Sequence, residues 1–178
     1  MNPTMKIPTE TIIKNFPLST VIVLVDTREQ HPWNLEPMAT APTTLQTGDY
    51  SSYCGRFVLE RKNSVDELIS CMTKDRERFE RELERMQAFE AAVVLVEGSY
   101  GDLVSGNYRS QMNKSAALGS LVAWQLRYRI PFFFAENRSN AEEFAKSFFR
   151  IQQRDRLLEL HRYLPFLQQQ EKNLPKTE

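Results

Sequence analysis

Four short apolar runs punctuate the chain, and each has the length of a strand. Residues 21–25, Val-Ile-Val-Leu-Val, are unbroken, rich in β-branched side chains and end at Asp26; such a run reads as a buried strand. Residues 91–96 repeat the pattern and stop at Glu97 and Gly98, and residues 131–134, Pro-Phe-Phe-Phe, read as the last core strand. Residues 56–62, Arg-Phe-Val-Leu-Glu-Arg-Lys, begin apolar on both faces, with Phe57 and Leu59 to one side and Val58 and Glu60 to the other. A strand apolar on both faces is central, yet this one ends in three consecutive charges. Residues 43–46 read as a further short strand leading into Gly48 and Asp49.

Helical spacing fills the intervals. Ser64 is placed to cap a helix, with Glu67 completing a capping box and Asp66 favouring the dipole of the first turn. Residues 74–86 form a second helix with Phe79, Leu83 and Met86 on one narrow stripe, and Glu77–Arg81 and Arg78–Glu82 have the spacing of helical ion pairs. Residues 99–114 read as a long polar connection, either a flexible excursion or a loop whose Tyr108, Arg109 and Lys114 grip a nucleic acid. Ser115 caps a helix over residues 116–128. Ser139 or Asn140 starts a final helix with Phe144, Phe148, Ile151 and Leu158 at helical spacing. Further apolar residues between Leu157 and Leu167 exceed what one face needs, which suggests a contact surface for self-association or docking. The succession of strands and helices predicts an α/β domain, a central mixed β-sheet flanked by helices. Residues 1–20 form an arm, 21–154 the domain, and 155–178 a helical extension with a polar tail.

Composition narrows the class. The 178 residues fit one domain, and 41% belong to the apolar class, enough for a sizeable core. Lys and Arg number 23 and so do Asp and Glu, so the formal charge is zero. A nucleic-acid binder often carries a basic excess, and its absence weighs mildly against one. Cys54 and Cys71 lack metal-binding spacing and read as free thiols in a reducing compartment. No apolar run has membrane-spanning length, and the first twenty residues lack a signal-peptide core. A soluble intracellular protein with no membrane partner is expected.

The charged end of residues 56–62 holds the candidate chemistry. Glu60 and Lys62 share a face and Arg61 points away. A hairpin or bent strand pair would return Asp49 to Glu60. Two carboxylates at ~4 Å in an effective dielectric of ~20 repel by roughly 4 kcal/mol, so either one is protonated or a cation lies between them. Carboxylate oxygens suit Mg²⁺ or Mn²⁺, and Lys62 would adjoin the water such an ion binds. One reading is a metal-dependent phosphodiester-cleaving site; the other is a surface hairpin with solvated charges. Asp26, at a strand end, is either part of the site or simply the partner of Arg28. Arg76 or Arg78, near a helix start, suits a phosphate.

Gly48-Asp49 followed by Glu60-Arg61-Lys62 and then Asp66 resembles the signature of the XPF-type (ERCC4 domain) endonuclease family. Val25-Asp26-Thr27-Arg28-Glu29 resembles the family's first motif, residues 94–98 the strand after its catalytic helix, and residues 130–134 its last core strand. The likeness spans about residues 21–154, in order. It implies a restriction-endonuclease-like fold and metal-dependent cleavage of DNA, in the family at branched or flapped structures, with no nucleotide cofactor. Asp49 and Glu60 match the metal-binding carboxylates, and Lys62 the catalytic lysine. Asp26, Arg28 and Glu29 match the cluster beside the metal, with Asp26 and Glu29 as further catalytic or metal-holding candidates. Arg61 and Asp66 match supporting positions, and Arg76 is a candidate substrate contact. Cellular members usually carry a tandem helix-hairpin-helix module after the nuclease core, and the residues after Arg154 are too few for one. The resemblance therefore bears on cleavage more than on junction recognition. Some family subunits are non-catalytic scaffolds, so a DNA-binding or dimerisation module, as a homodimer or with a partner protein, is the alternative.

Overall fold

Parallel and antiparallel pairings meet in one six-stranded sheet. The computed structural model describes residues 9–173. Strands β1 (Ile22–Asp26), β2 (Ala39–Thr43), β3 (Tyr50–Ser52), β4 (Phe57–Lys62), β5 (Ala91–Val96) and β6 (Phe132–Phe134) lie in the order β2-β1-β3-β4-β5-β6. β3 runs antiparallel to both its neighbours, and the other three pairings are parallel. The α/β class with a mixed central sheet is as expected. β3 and β4 are buried along their whole length, and for β4 the apolar start on both faces accounts for it.

Helices cover both faces. Helices α1 (Glu10–Lys14), α2 (Val65–Met72), α3 (Arg76–Met86), α4 (Tyr100–Ser105), α5 (Lys114–Tyr128) and α6 (Arg138–Asn173) complete the fold, with a 3-10 turn at Leu18–Thr20. On one face Val58, Val94 and Val96 pack under α2, α3 and α5 through Leu68, Phe79, Leu83 and Trp124. On the other, Leu59, Val93 and Leu95 meet Ala141, Ala145 and Phe149 of α6, together with Trp33 and Leu35 of the β1–β2 loop. Each large side chain so buried contributes about 1.5–3 kcal/mol relative to leaving it in water. Among the described residues, no helix is long and apolar enough to cross a membrane.

Several elements depart from expectation for local reasons. Residues 44–48 are not a strand, because Leu45 N–H turns off the sheet to donate to Asp26 Oδ2 at 2.8 Å. The connection after β5 contains α4, capped by Ser99, whose Oγ accepts from Asp102 N–H, and ended by left-handed Gly106. α3 starts at Arg76, two residues later than the charge run suggests, and Asn113 rather than Ser115 caps α5. α6 runs unbroken past residue 154, so the boundary drawn there falls inside a helix. The described part of the arm, residues 9–20, is ordered as α1 and the 3-10 turn, and Arg150 Nε on α6 donates to Phe16 O at 3.3 Å. Residues 1–8 and 174–178, including the end of the polar tail, lie outside the described residues.

Asp26 is paired with Arg28. Its Oδ1 accepts from Arg28 N–H and Nε, both at 2.7 Å, and its Oδ2 accepts from Arg28 Nη2 at 2.9 Å and from Leu45 N–H. Four donors thus engage both oxygens of Asp26 in this arrangement. The Arg28 hydrogen bonds hold its carboxyl down to about 2, against the opposing effect of burial.

Gly48 sets the turn into β3. Its φ is +73°, and a Cβ there would meet Val58 Cγ2 at 2.2 Å and Leu59 O at 3.0 Å. Gly48→Ala is expected to destabilise the fold by about 2–3 kcal/mol, strain and overpacking together, measurable by urea denaturation. Asp26→Asn is expected to cost about 1–3 kcal/mol at neutral pH through weakened hydrogen bonds. Because folding depresses the Asp26 pKa, its contribution is complete above the ordinary carboxylate range and disappears as pH falls through about 2. The gap between parent and variant in pH-dependent denaturation should therefore narrow on acidification.

Candidate active site

The β3–β4 pairing brings Asp49 to Glu60. Tyr50 is opposite Leu59 in the antiparallel register, so the next residue outward on one strand meets the next on the other. Asp49 N–H donates to Leu59 O at 3.0 Å, Arg61 N–H donates to Asp49 Oδ2 at 2.8 Å, and Asp49 O accepts from Asp26 N–H at 2.8 Å. The backbone around the two carboxylates is thus fixed on three sides. Glu60 Oε1 accepts from Lys62 Nζ at 2.6 Å, and the Lys62 ammonium sits 4.9 Å from the centre of the Phe79 ring. Glu67 on α2 stands 3.6 Å from Lys62 on its other side.

Burial and repulsion set the charge states. Burial pushes the Asp49 carboxyl up to about 8, and the neighbouring charge of Glu60 adds to the effect. Burial raises Glu60 too, against the pull of Lys62. Burial alone would lower the Lys62 pKa, but the adjacent Glu60 charge outweighs it and keeps the ammonium protonated. Burial and the Glu60 charge thus act together to favour the neutral form of Asp49.

On the opposite face of β4, Arg61 anchors the cleft wall. Its Nε and Nη2 donate to the two oxygens of Glu97 at 2.7 and 3.2 Å, and its Nη1 donates to Glu29 Oε1 at 3.0 Å and His31 O at 2.7 Å. Glu97 also accepts from Trp33 Nε1 at 2.5 Å, and Trp33 stacks on Tyr50 at 4.3 Å. Arg138 of α6 donates to His31 O and Pro32 O, so the loop that carries Glu29 is braced from two directions.

The residues border one cleft of about 340 Å³, lined among others by Arg28, Glu29, Asp49, Glu60, Lys62 and Arg78. An adjoining hollow of about 230 Å³ extends it past Gly48 and Glu82. The structure therefore brings together Asp49, Glu60, Lys62, Glu29, Arg28 and Arg61. Asp66 stands apart from these, its Oδ1 accepting from Arg109 N–H at 2.7 Å. Arg76 does not reach the cleft: it pairs with Glu80 at 3.0 Å, donates to Ser120 Oγ and lies over Trp124, because α5 offers it a partner. Arg78 takes the place facing the cleft. Sequence reading missed Glu67 as a neighbour of Lys62, although its capping-box spacing from Ser64 puts it one turn beyond the strand end. It missed Glu97 as the Arg61 partner, whose only signal was a charge closing a buried strand.

Among the described residues, no three His, Cys, Asp or Glu side chains converge to hold a metal ion. Two carboxylates, Asp49 and Glu60, line the same cleft. Asp49 Oδ1 and Glu60 Oε2 accept no protein hydrogen bond, and every fully buried side-chain N or O among the described residues has a partner, so these two oxygens open on the cleft. One or two carboxylates completed by water and substrate oxygens is the donor set of protein-bound Mg²⁺, and the pair fits that group.

XPF from Aeropyrum pernix superposes with a TM-score of 0.58 at 26% identity, over 74% of this chain and 61% of that one. A structure of the same protein in complex with DNA gives 0.62 at 22% identity, over 76% and 66%. This chain thus spans less than two thirds of either matched chain. No curated protein matches the sequence significantly. The ERCC4 domain model matches residues 25–148, from the end of β1 into α6 and across the whole cleft, and the chain belongs to the ERCC4 domain family.

Proposed function

We propose that this domain is a divalent-metal-dependent DNA endonuclease that hydrolyses phosphodiester bonds in the cleft beside β4. The observation that carries the reading is that the β3–β4 register continues to set the part-buried Asp49 against the buried Glu60, next to a charged buried lysine. DNA as the ligand is supported by family membership and by the complex formed by XPF from Aeropyrum pernix. Asp49 and Glu60 would hold Mg²⁺ or Mn²⁺, with the main-chain carbonyl of Arg61 as a further ligand. Such an ion, when bound, lowers the pKa of a coordinated water and offsets charge on the phosphoryl oxygens.

The chain's own residues supply the rest. Lys62, held between Glu60 and Glu67 and kept protonated, donates to the attacking water or to a non-bridging phosphate oxygen and fixes its approach. Arg78 has its side chain 75% exposed and only a 3.8 Å contact to Asp75, so its guanidinium is available to a phosphate. Arg28 is oriented by Asp26 at the cleft edge. Glu29 and Arg61 keep the wall in place rather than meeting the substrate. Asp66 serves at a distance, by tethering the segment that carries the exposed Arg109.

A non-catalytic DNA-binding or docking module is the second reading. Leu126, Tyr163 and Phe166 are exposed apolar side chains that would suit an assembly. Cleavage separates the two. Asp49→Asn and Glu60→Gln are each expected to lower Mg²⁺-dependent cleavage at least ~10³-fold while DNA binding measured without metal survives, and chelation of the metal should abolish cleavage by the parent. A panel of plain, flapped and branched DNA that the parent binds but never cuts would establish the scaffold instead.

Arg78→Ala and Arg109→Ala are each expected to weaken DNA binding about three- to tenfold and to reduce the slope of log K against log salt by roughly one. Fluorescence anisotropy across a salt series, with the cleavage-deficient Asp49→Asn protein, checks both.

A further inference from the structure

The turn that presents Asp49 is held from α3. Gly48 N–H donates to Glu82 Oε1 at 2.8 Å, and Arg85 Nε donates to Thr47 Oγ1 at 3.0 Å. Glu82 and Arg85, one turn apart on α3, are themselves ion-paired through Glu82 Oε2. The two side chains grip consecutive residues of the turn, immediately before the carboxylate that faces Glu60. The turn has little freedom elsewhere, since Gly48 already lies against Val58 and Leu59.

Glu82 borders the hollow next to Asp49, and a third carboxylate there invites assignment as another ion ligand. Its hydrogen bonds argue otherwise. One oxygen accepts from Gly48 and the other from Arg85, so both are committed to holding the Thr47–Gly48 turn against α3. The same engagement explains why the expected Arg78–Glu82 pair does not form: Glu82 is turned toward the Thr47–Gly48 turn, and Arg78 is left facing the cleft.

We propose that Glu82 and Arg85 are positioning residues that fix Asp49 for metal binding by clamping residues 47 and 48. This rests on the reading of Asp49 and Glu60 as the metal-holding pair. Glu82 acts through the backbone of Gly48 and Arg85 through the hydroxyl of Thr47, so the pair pre-organises an oxygen ligand without touching the ion. The amide of a glutamine retains the acceptor that Gly48 needs, whereas alanine removes it.

Calorimetric titration of Mn²⁺ into the full chain, without DNA, tests this directly. Glu82→Ala is expected to weaken Mn²⁺ binding about 10–100-fold, Arg85→Ala by several-fold, and Glu82→Gln by no more than about threefold, the range typical of residues that orient metal ligands. Melting curves accompany each variant, and if Glu82→Ala does not fold, Arg85→Ala and Glu82→Gln carry the comparison. Parental Mn²⁺ affinity in the folded Glu82→Ala and Arg85→Ala variants overturns the inference, as does an equal loss in Glu82→Gln, which would mean that charge and not the Gly48 bond matters. Failure of the underlying reading looks different: the parent then binds no Mn²⁺ and Asp49→Asn changes nothing.

Discussion

The structure depends on two carboxylates forced together by backbone register. Asp49 and Glu60 cannot separate, because the same hydrogen bonds that hold β3 to β4 hold them opposite each other. Charging both at once carries a repulsive cost, since burial and the Glu60 charge together push the Asp49 carboxyl up to about 8. The sheet sustains it in two ways: Lys62 lies at hydrogen-bond distance from Glu60, and the raised Asp49 pKa lets a proton stay where a charge would cost most. Both devices are relieved by a divalent ion, so the tension is resolved most fully in the state the proposed chemistry needs.

β4 carries this tension on one face and its support on the other. Lys62 and Glu60 point toward Phe79 and α2, whereas Arg61 points through to Glu97, Glu29 and the His31 carbonyl. Arg61 is buried and fully paired, which is the condition under which a buried guanidinium is tolerable. Removing one of its partners would leave charge stranded in the core, so the network is intolerant of piecemeal change. Alternation along one strand thereby separates two jobs, with the reactive side chains on one face and the wall that shapes the cleft on the other.

Sequence pattern exposed the parts of this arrangement that obey a short period. The period-two alternation of residues 57–62 separated Glu60 and Lys62 from Arg61, and the hairpin needed to return Asp49 was legible from the short spacing between the charges. The capping serine and the apolar stripe of α3 were equally plain. What escaped depends on partners distant in sequence. Arg76 and Arg78 are indistinguishable by spacing, and only the position of α5, with Ser120 and Trp124, draws Arg76 away from the cleft. Asp26 resembles a site residue at a strand end until Leu45 folds back to claim its second oxygen. α4, within residues 99–114, escaped for a different reason: at one and a half turns it is too short to establish a period.

The balanced charge of the chain, a mild objection to DNA as partner, has a local counterpart. Of the residues lining the main cleft, Arg28, Arg61, Lys62 and Arg78 are cationic, and Glu29, Asp49, Glu60 and Glu67 are acidic, four of each. With every group ionised the cleft is formally neutral, and even with a proton retained on Asp49 it offers a phosphodiester little net attraction. A bound dication changes the local sum to two positive charges while occupying the free carboxylate oxygens. Phosphate contacts supply most of the affinity of proteins for DNA, so in the proposed reading ion and backbone should bind cooperatively, each lowering the electrostatic cost of the other. A strongly basic surface would bring DNA to the cleft whether or not it was ready to cut; a neutral cleft makes productive engagement conditional on the ion that Asp49 and Glu60 would hold.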